Sequence, residues 1–165
     1  MPKIEKIGLG GGCHWCTEGV FNQIIGVTEV KQGYIKATEP NDYWSEAILV
    51  SFDPKAVTLN QLIAIHLRSH AATATHSMRR KYRSAVYYLN EKDQKPVNDI
   101  LKREQKNFDG KLITKSLKYE EFKESRKSLR DYYGRNPDAP FCKRYIVPKL
   151  TKLKAGFKPL IKPGL

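Results

Sequence analysis

Three consecutive glycines, Gly10-Gly11-Gly12, stand between a short apolar stretch and a cysteine, and this junction constrains the chain more than anything else in it. Ile4 to Leu9 reads as a strand that runs into a backbone with no Cβ to restrict it. Beyond the glycines, Val20, Phe21, Ile24 and Ile25 recur at helical spacing, so Cys13 to Ile25 reads as a helix that stops before Gly26. A strand, a tight turn and a helix in succession put Cys13 at the positive end of a helix dipole. That position stabilises a thiolate and suits a nucleophile at neutral pH; a buried structural cysteine beside a tight turn is the alternative.

The rest of the chain alternates in the same way. Val27 to Tyr34 and Tyr43 to Phe52 read as strands around the turn-rich Glu39-Pro40-Asn41-Asp42. Thr58 caps a helix from Leu59 to Ser69 whose apolar side carries Leu62, Ile63, Ile65 and His66. His70 to Lys81 is polar and non-periodic, a loop, and Tyr82 to Leu89 is a strand rich in aromatic and β-branched residues. Glu91 to Asn107 predicts a charged helix, Leu112 to Leu117 a short strand, and Tyr119 to Tyr133 a last helix. This order is the split β-α-β core of a ferredoxin-like two-layer α/β sandwich with extra helices. From Lys143 onward the chain is basic, has no acid, and contains Pro148, Pro159 and Pro163, so an irregular basic C-terminal tail is expected. Residues 1–150 are expected to form one catalytic domain and 151–165 the tail.

Composition removes several function classes. No apolar run approaches the roughly 20 residues a membrane span needs, and Met1 to Ile7 lacks the apolar core of a secretory signal. Three cysteines are too few for a disulfide scaffold and fit a reducing compartment, so a cytoplasmic monomer is expected. The net charge of +13 favours acidic partners, but Lys81-Tyr82-Arg83 is as close as the chain comes to a nucleic-acid motif. Cys13, His14, Cys16, His66, His70 and His76 miss the ligand spacings of a zinc site, so neither a metal nor another cofactor is expected.

Three further residues carry chemistry. Cys16 lies one turn after Cys13 and is either a redox partner or a small core residue. Cys142 follows Asn136-Pro137 and Pro140 in a stretch that looks mobile, which suits a thiol that must travel. Glu46 sits in Tyr43-Trp44-Ser45-Glu46-Ala47-Ile48-Leu49-Val50, where a carboxylate is costly unless it is paired or used.

From Gly11 to about Leu150 these residues resemble the A-type peptide methionine sulfoxide reductases. Gly12-Cys13-His14-Trp15-Cys16 is similar to that family's Gly-Cys-Phe-Trp signature, Gly33-Tyr34 to its Gly-Tyr, and Ser45-Glu46-Ala47 to its acidic strand position. Tyr82-Arg83-Ser84-Ala85 matches its Tyr-Arg-Ser motif, and Asn136-Pro137 with Phe141-Cys142 resembles its resolving-cysteine region. The resemblance implies that Cys13 attacks the sulfur of methionine-S-sulfoxide, free or in proteins. It implies that Glu46, aided by Tyr34 and Tyr82, activates the oxygen, a role that burial favours by stabilising the neutral carboxyl. Trp15 and His14 would line the substrate pocket. Cys142, or alternatively Cys16, would convert the sulfenic acid to a disulfide, and a thioredoxin-like dithiol would restore the enzyme. The chain departs from the pattern at His14 for Phe, Ser45 for His, Ser77 for Asp, and Ser128-Leu129 for a Tyr-His pair; the segment between Tyr34 and Glu46 is also shorter. Two rival readings are a thiol–disulfide oxidoreductase using Cys13 and Cys16 alone, and a basic nucleic-acid-associated module.

Overall fold

The alternation Ile7-Gly8-Leu9-Gly10 in the first strand, β1 (Glu5–Gly10), decides what each face of the sheet can hold. Ile7 and Leu9 join the main core, while Gly8 and Gly10 leave room on the opposite face for Tyr87. A Cβ on Gly8 would lie 2.7 Å from Ile35 Cδ1 and 2.9 Å from Tyr87 Cβ. The computed structural model describes residues 3–75, 77–126 and 129–163.

Four more strands complete the sheet: β2 (Val27–Ala37), β3 (Ser45–Phe52), β4 (Ala85–Tyr88) and β5 (Lys115–Glu124). They close into a barrel in the order β1-β3-β2-β5-β4, with β4 pairing back onto β1. All pairs are antiparallel except β4 with β5. The barrel interior is a small cluster of Ile35, Ala37, Ala47, Ala85 and Tyr87, backed by Leu117, Tyr119 and Phe122. The larger core lies outside the sheet. There α1 (His14–Phe21), α2 (Leu59–Arg68), α3 (Gln94–Glu104) and α5 (Val147–Phe157) bury Val20, Phe21, Leu62, Ile63, Val97, Leu150 and Leu153 against Leu9, Ile48 and Val50. A single turn, α4 (Tyr132–Arg135), lies between β5 and α5.

The closed barrel replaces the expected ferredoxin-like sandwich, and the cause is the segment from Tyr119 to Tyr133. Most of it is not helix: Lys115–Glu124 is the strand that bridges β4 and β2 and shuts the sheet. The register against β2 slips between Lys36 and Ala37, where Lys36 faces Glu121 but Ala37 faces Tyr119. This bulge turns Tyr119 and Phe122, three residues apart, toward the same interior, and a spacing of three imitates a helix in the sequence. The expected irregular tail is corrected as well. Pro148 falls in the first turn of α5, where a missing N–H costs nothing, and Leu150 and Leu153 are buried. Ile161 then bridges to Ile24.

Gly8→Ala should lower unfolding free energy by about 1–3 kcal/mol in urea titration, because the methyl meets Tyr87 and Ile35. Gly156→Ala, in α5 with nothing within 4 Å of the added Cβ, should instead raise it by about 0.5–1 kcal/mol. Equal effects at the two positions would contradict this account of the barrel interior.

Candidate active site

Gly11 turns the chain from β1 toward α1 at φ +155°, and a Cβ there would lie 2.5 Å from His70 Cδ2, so only glycine fits. The turn is held from below and from the side. His66 Nε2 donates to the Gly10 carbonyl at 2.8 Å, and Arg79 donates to the carbonyls of Gly11 at 2.7 Å and Tyr82 at 3.0 Å. His70 stacks on His66 at 4.3 Å, donates from Nδ1 to the His66 carbonyl at 2.6 Å, and accepts at Nε2 from Ser84 Oγ at 2.8 Å. Burial pushes His66 down to about 4 and His70 well below its ordinary value, so both are neutral supports.

Cys13 stands immediately before α1, half-buried, where the glycine junction places it. No conventional capping hydrogen bond reaches its side chain, yet the surroundings hold its thiol down to about 7. The largest cause is the Cys16 thiol, which donates to the Cys13 sulfur; the Trp15 and Cys16 amides add to it, while burial and the Glu46 charge oppose it. Cys16 is pushed far up in consequence, by that hydrogen bond first, then by burial and by the charge on Cys13. The two sulfurs thus share one proton, and Cys13 is the one that ionises.

Glu46 is buried on β3, directly opposite Tyr34 of β2. Its Oε1 accepts the His14 backbone N–H at 3.1 Å, so the carboxylate occupies the same helix start as the Cys13 sulfur. Lys81 Nζ lies 3.5 Å from Oε2 and 5.1 Å above the Tyr82 ring. Tyr82 itself is half-buried in the turn before β4 rather than on a strand. Ser45 fixes this turn, since its hydroxyl donates to the Lys81 carbonyl at 2.9 Å and accepts the Arg83 N–H at 2.7 Å. Cys13, His14, Glu46, Tyr34 and Tyr82 are therefore gathered around one helix start.

His14 is buried with its ring edge 5.4 Å from Tyr34, and Nδ1 donates to the Gly33 carbonyl at 2.9 Å. Trp15 has one face covered by Tyr132, stacked at 4.5 Å, and meets Phe141 edge-on at 5.5 Å. Cys142, expected in an irregular stretch, stands in helical structure. It is fully buried at the start of a π-helical turn, Cys142–Ile146, that leads into α5. Ser77 opens a short 3-10 turn, Ser77–Arg80; Ser128 and His76 lie outside the described residues. Sequence reasoning missed Arg79, Lys81, Tyr132 and Phe141. Arg79 was hidden in a polar loop whose only signal is its density of Arg and Lys. Among the described residues no three His, Cys, Asp or Glu side chains gather as a metal site, and no helix is long and apolar enough to cross a membrane.

The family model for peptide methionine sulfoxide reductase matches residues 5–159. The chain belongs to the peptide methionine sulfoxide reductase family. Proteins described as peptide methionine sulfoxide reductase MsrA are similar along nearly their whole length. That of Psychrobacter is 32% identical, covering 94% of this chain and 97% of its own. That of Sulfolobus acidocaldarius is 30% identical, covering 93% and 96%. Among solved structures, Mxr1 from Saccharomyces cerevisiae in reduced form superposes with a TM-score of 0.75 at 23% identity, covering 87% of this chain and 91% of that one. Mxr1 in complex with Trx2 gives a TM-score of 0.64 at 23% identity, covering 77% and 84%. The chain is an oxidoreductase of the MsrA type, acting on methionine sulfoxide.

Because thiolate is the reactive form, alkylation of Cys13 in the reduced enzyme should rise with pH through a midpoint of about 7. Cys16→Ala removes the largest stabilising contact, so the midpoint should climb by about one unit or more and the rate at pH 7 fall about fivefold or more. Peptide-resolved alkylation rates check this; an unmoved midpoint would show that the Cys16 thiol does not hold the thiolate.

Proposed function

We propose that the chain reduces methionine-S-sulfoxide, free or within proteins, by attack of the Cys13 thiolate, and that a thioredoxin-type dithiol regenerates it. The observation that carries this reading is a half-buried thiol held near pH 7 at a helix start that also binds the Glu46 carboxyl group. Sulfoxide sulfur resists attack because its oxygen must leave, and a proton donor at that oxygen lowers the barrier. Glu46 supplies the proton, and the Tyr34 and Tyr82 hydroxyls hydrogen-bond the same oxygen. In the net step the Cys13 thiol and R₂SO give a Cys13 sulfenic acid and R₂S, with two electrons passing from the cysteine sulfur to the sulfoxide sulfur. The product is ordinary methionine, so the reaction repairs an oxidised protein side chain.

Cys16 is the thiol that meets the sulfenic acid first. It already touches the Cys13 sulfur, while Cys142 is fully buried. Cys13 sulfenic acid and the Cys16 thiol give a disulfide and water. Cys142 lies close enough to Cys16 for its charge to be felt there, and so stands next in line to take up the oxidation. A pairing of Cys13 directly with Cys142 requires the π-helical turn to open first.

Turnover on the two methionine sulfoxide epimers with a dithiol reductant tests the reading: the S epimer should be consumed and the R epimer left. Cys13→Ser should abolish turnover, and Glu46→Gln, which keeps shape but delivers no proton, should cut kcat about 10²-fold or more. Consumption of neither epimer, together with disulfide reductase activity, would favour the thiol–disulfide oxidoreductase instead. After one equivalent of substrate, peptide mapping with thiols blocked should recover Cys13 joined to Cys16; Cys13 joined to Cys142 would refute Cys16 as the first resolving thiol.

A further inference from the structure

We infer that His14 is a positioning residue for proton delivery: with Glu46 it forms a buried pair that holds the proton leaving the Cys13 thiol and returns it through Glu46 to the substrate oxygen. The inference rests on the proposed attack by Cys13. It concerns a residue at which the chain departs from its family, since Phe, the usual residue there, can hold no proton.

The hydrogen bonds of the ring decide which nitrogen can act. Nδ1 lies 2.9 Å from the Gly33 carbonyl. A carbonyl only accepts, so Nδ1 carries a hydrogen whatever the charge on the ring, and Nε2 is the nitrogen that gains or loses one. Nε2 points at Glu46 Oε1 from 3.6 Å, and both side chains are nearly buried, at 6% and 7% exposure. That separation is too long for a hydrogen bond, and an adjustment of about 0.6 Å closes it. The pair then offers one proton two seats: a neutral carboxyl donating to a bare Nε2, or an imidazolium donating to a carboxylate.

The charge balance of the pocket explains what the second seat is for. The Cys13 sulfur and Glu46 Oε1 draw on the same first turn of α1, so an ionised Glu46 works against the thiolate. With Phe in place of His14, Glu46 would have to keep its proton unaided beside the thiolate. A basic nitrogen behind Glu46 lets the thiol ionise while its proton stays in the pocket. The other charged or titratable groups facing the pair are Lys81, which reaches Oε2 from the turn before β4, Tyr34 on β2, and Tyr82 beneath Lys81. The Lys81 side chain is 56% exposed, so solvent screens it, and it meets Glu46 from outside while His14 meets it from within. Over the whole step the thiol proton ends on the sulfenic acid oxygen, the Cys13 sulfur loses two electrons and the sulfoxide sulfur gains them. No other reactant is needed.

The test is the pH profile of single-turnover methionine formation in wild type, His14→Phe and His14→Asn. Asn keeps a donor for the Gly33 carbonyl but cannot titrate, so it separates proton holding from positioning of the turn. In both variants the alkaline limb should move down by about one pH unit, giving about tenfold loss at pH 8 and less than about threefold at pH 6. An unmoved limb, or an equal loss at every pH, overturns the inference. Nitrogen NMR of His14 in the wild-type enzyme gives a second reading that needs no variant. Nδ1 should stay protonated while Nε2 titrates; a ring with bare Nδ1 at pH 8 overturns it too. Failure of the wild type to reduce either epimer would sink the proposed function, whereas turnover with unchanged variant profiles sinks this inference alone.

Discussion

The first turn of α1 has to satisfy two acids at once. Its amides face the Cys13 sulfur, and the His14 N–H binds the Glu46 carboxyl from the neighbouring strand. A helix start carries only about half a unit of positive charge, too little to neutralise a thiolate and a carboxylate together. The structure adds help on each side. Cys16 lends its thiol proton to the sulfur, while Lys81 and the His14 ring stand around the carboxyl group. The proposed nucleophile and the proposed acid are thus coupled: whatever protonates the Glu46 side favours ionisation on the Cys13 side.

That coupling works only if the glycine turn, β3 and the turn before β4 stay fixed relative to one another. Arg79 spans two of them with a single guanidinium, holding Gly11 and Tyr82 by their carbonyls. Ser45 joins the third by bridging Lys81 and Arg83. Below, the His70 ring fills the space that the missing Cβ of Gly11 leaves, His66 stacks on it, and burial keeps both uncharged so that they add no second field to the site. The chain gains this rigidity from polar side chains satisfied almost entirely by backbone carbonyls, which fixes position without placing another acid near the sulfur.

The parts legible in the sequence were those with one local cause. Glycines before Cys13 announce a turn and helix start, and an isolated acid on an apolar strand announces a carboxyl group that must be paired or used; the turn, the helix start and the strand that carries Glu46 lie where expected. The parts that were not legible depend on partners distant in the chain. Tyr119 and Phe122 keep a helical spacing because a bulge opposite Ala37 realigns them, and no residue near them reports that bulge. The prolines that suggested an irregular tail prove compatible with α5 because Pro148 happens to fall in its first turn. Arg79 reads as one basic residue among several, since its four backbone acceptors are invisible until the loop is folded. Trp15 could be read as aromatic, but not as already covered by Tyr132 and Phe141.

That aromatic cover bears on how oxidation leaves the site. Tyr132 and Phe141 flank Trp15, Tyr145 continues the cluster at 5.0 Å from Phe141, and Cys142 is wholly enclosed next to it. A reductant arriving from solvent meets the half-buried Cys13 and Cys16 but not Cys142, which has no exposed surface. Each aromatic pair contributes about 0.5–1.5 kcal/mol beyond its buried area, so separating the two pairs that hold Trp15 costs about 1–3 kcal/mol. An opening of that size is populated at about 1–15% of molecules, using a factor of ten per 1.4 kcal/mol. On the proposed route, oxidation would reach Cys142 only after an opening of the segment that carries it, and the π-helical turn Cys142–Ile146 is the break in regular helix where that segment can give.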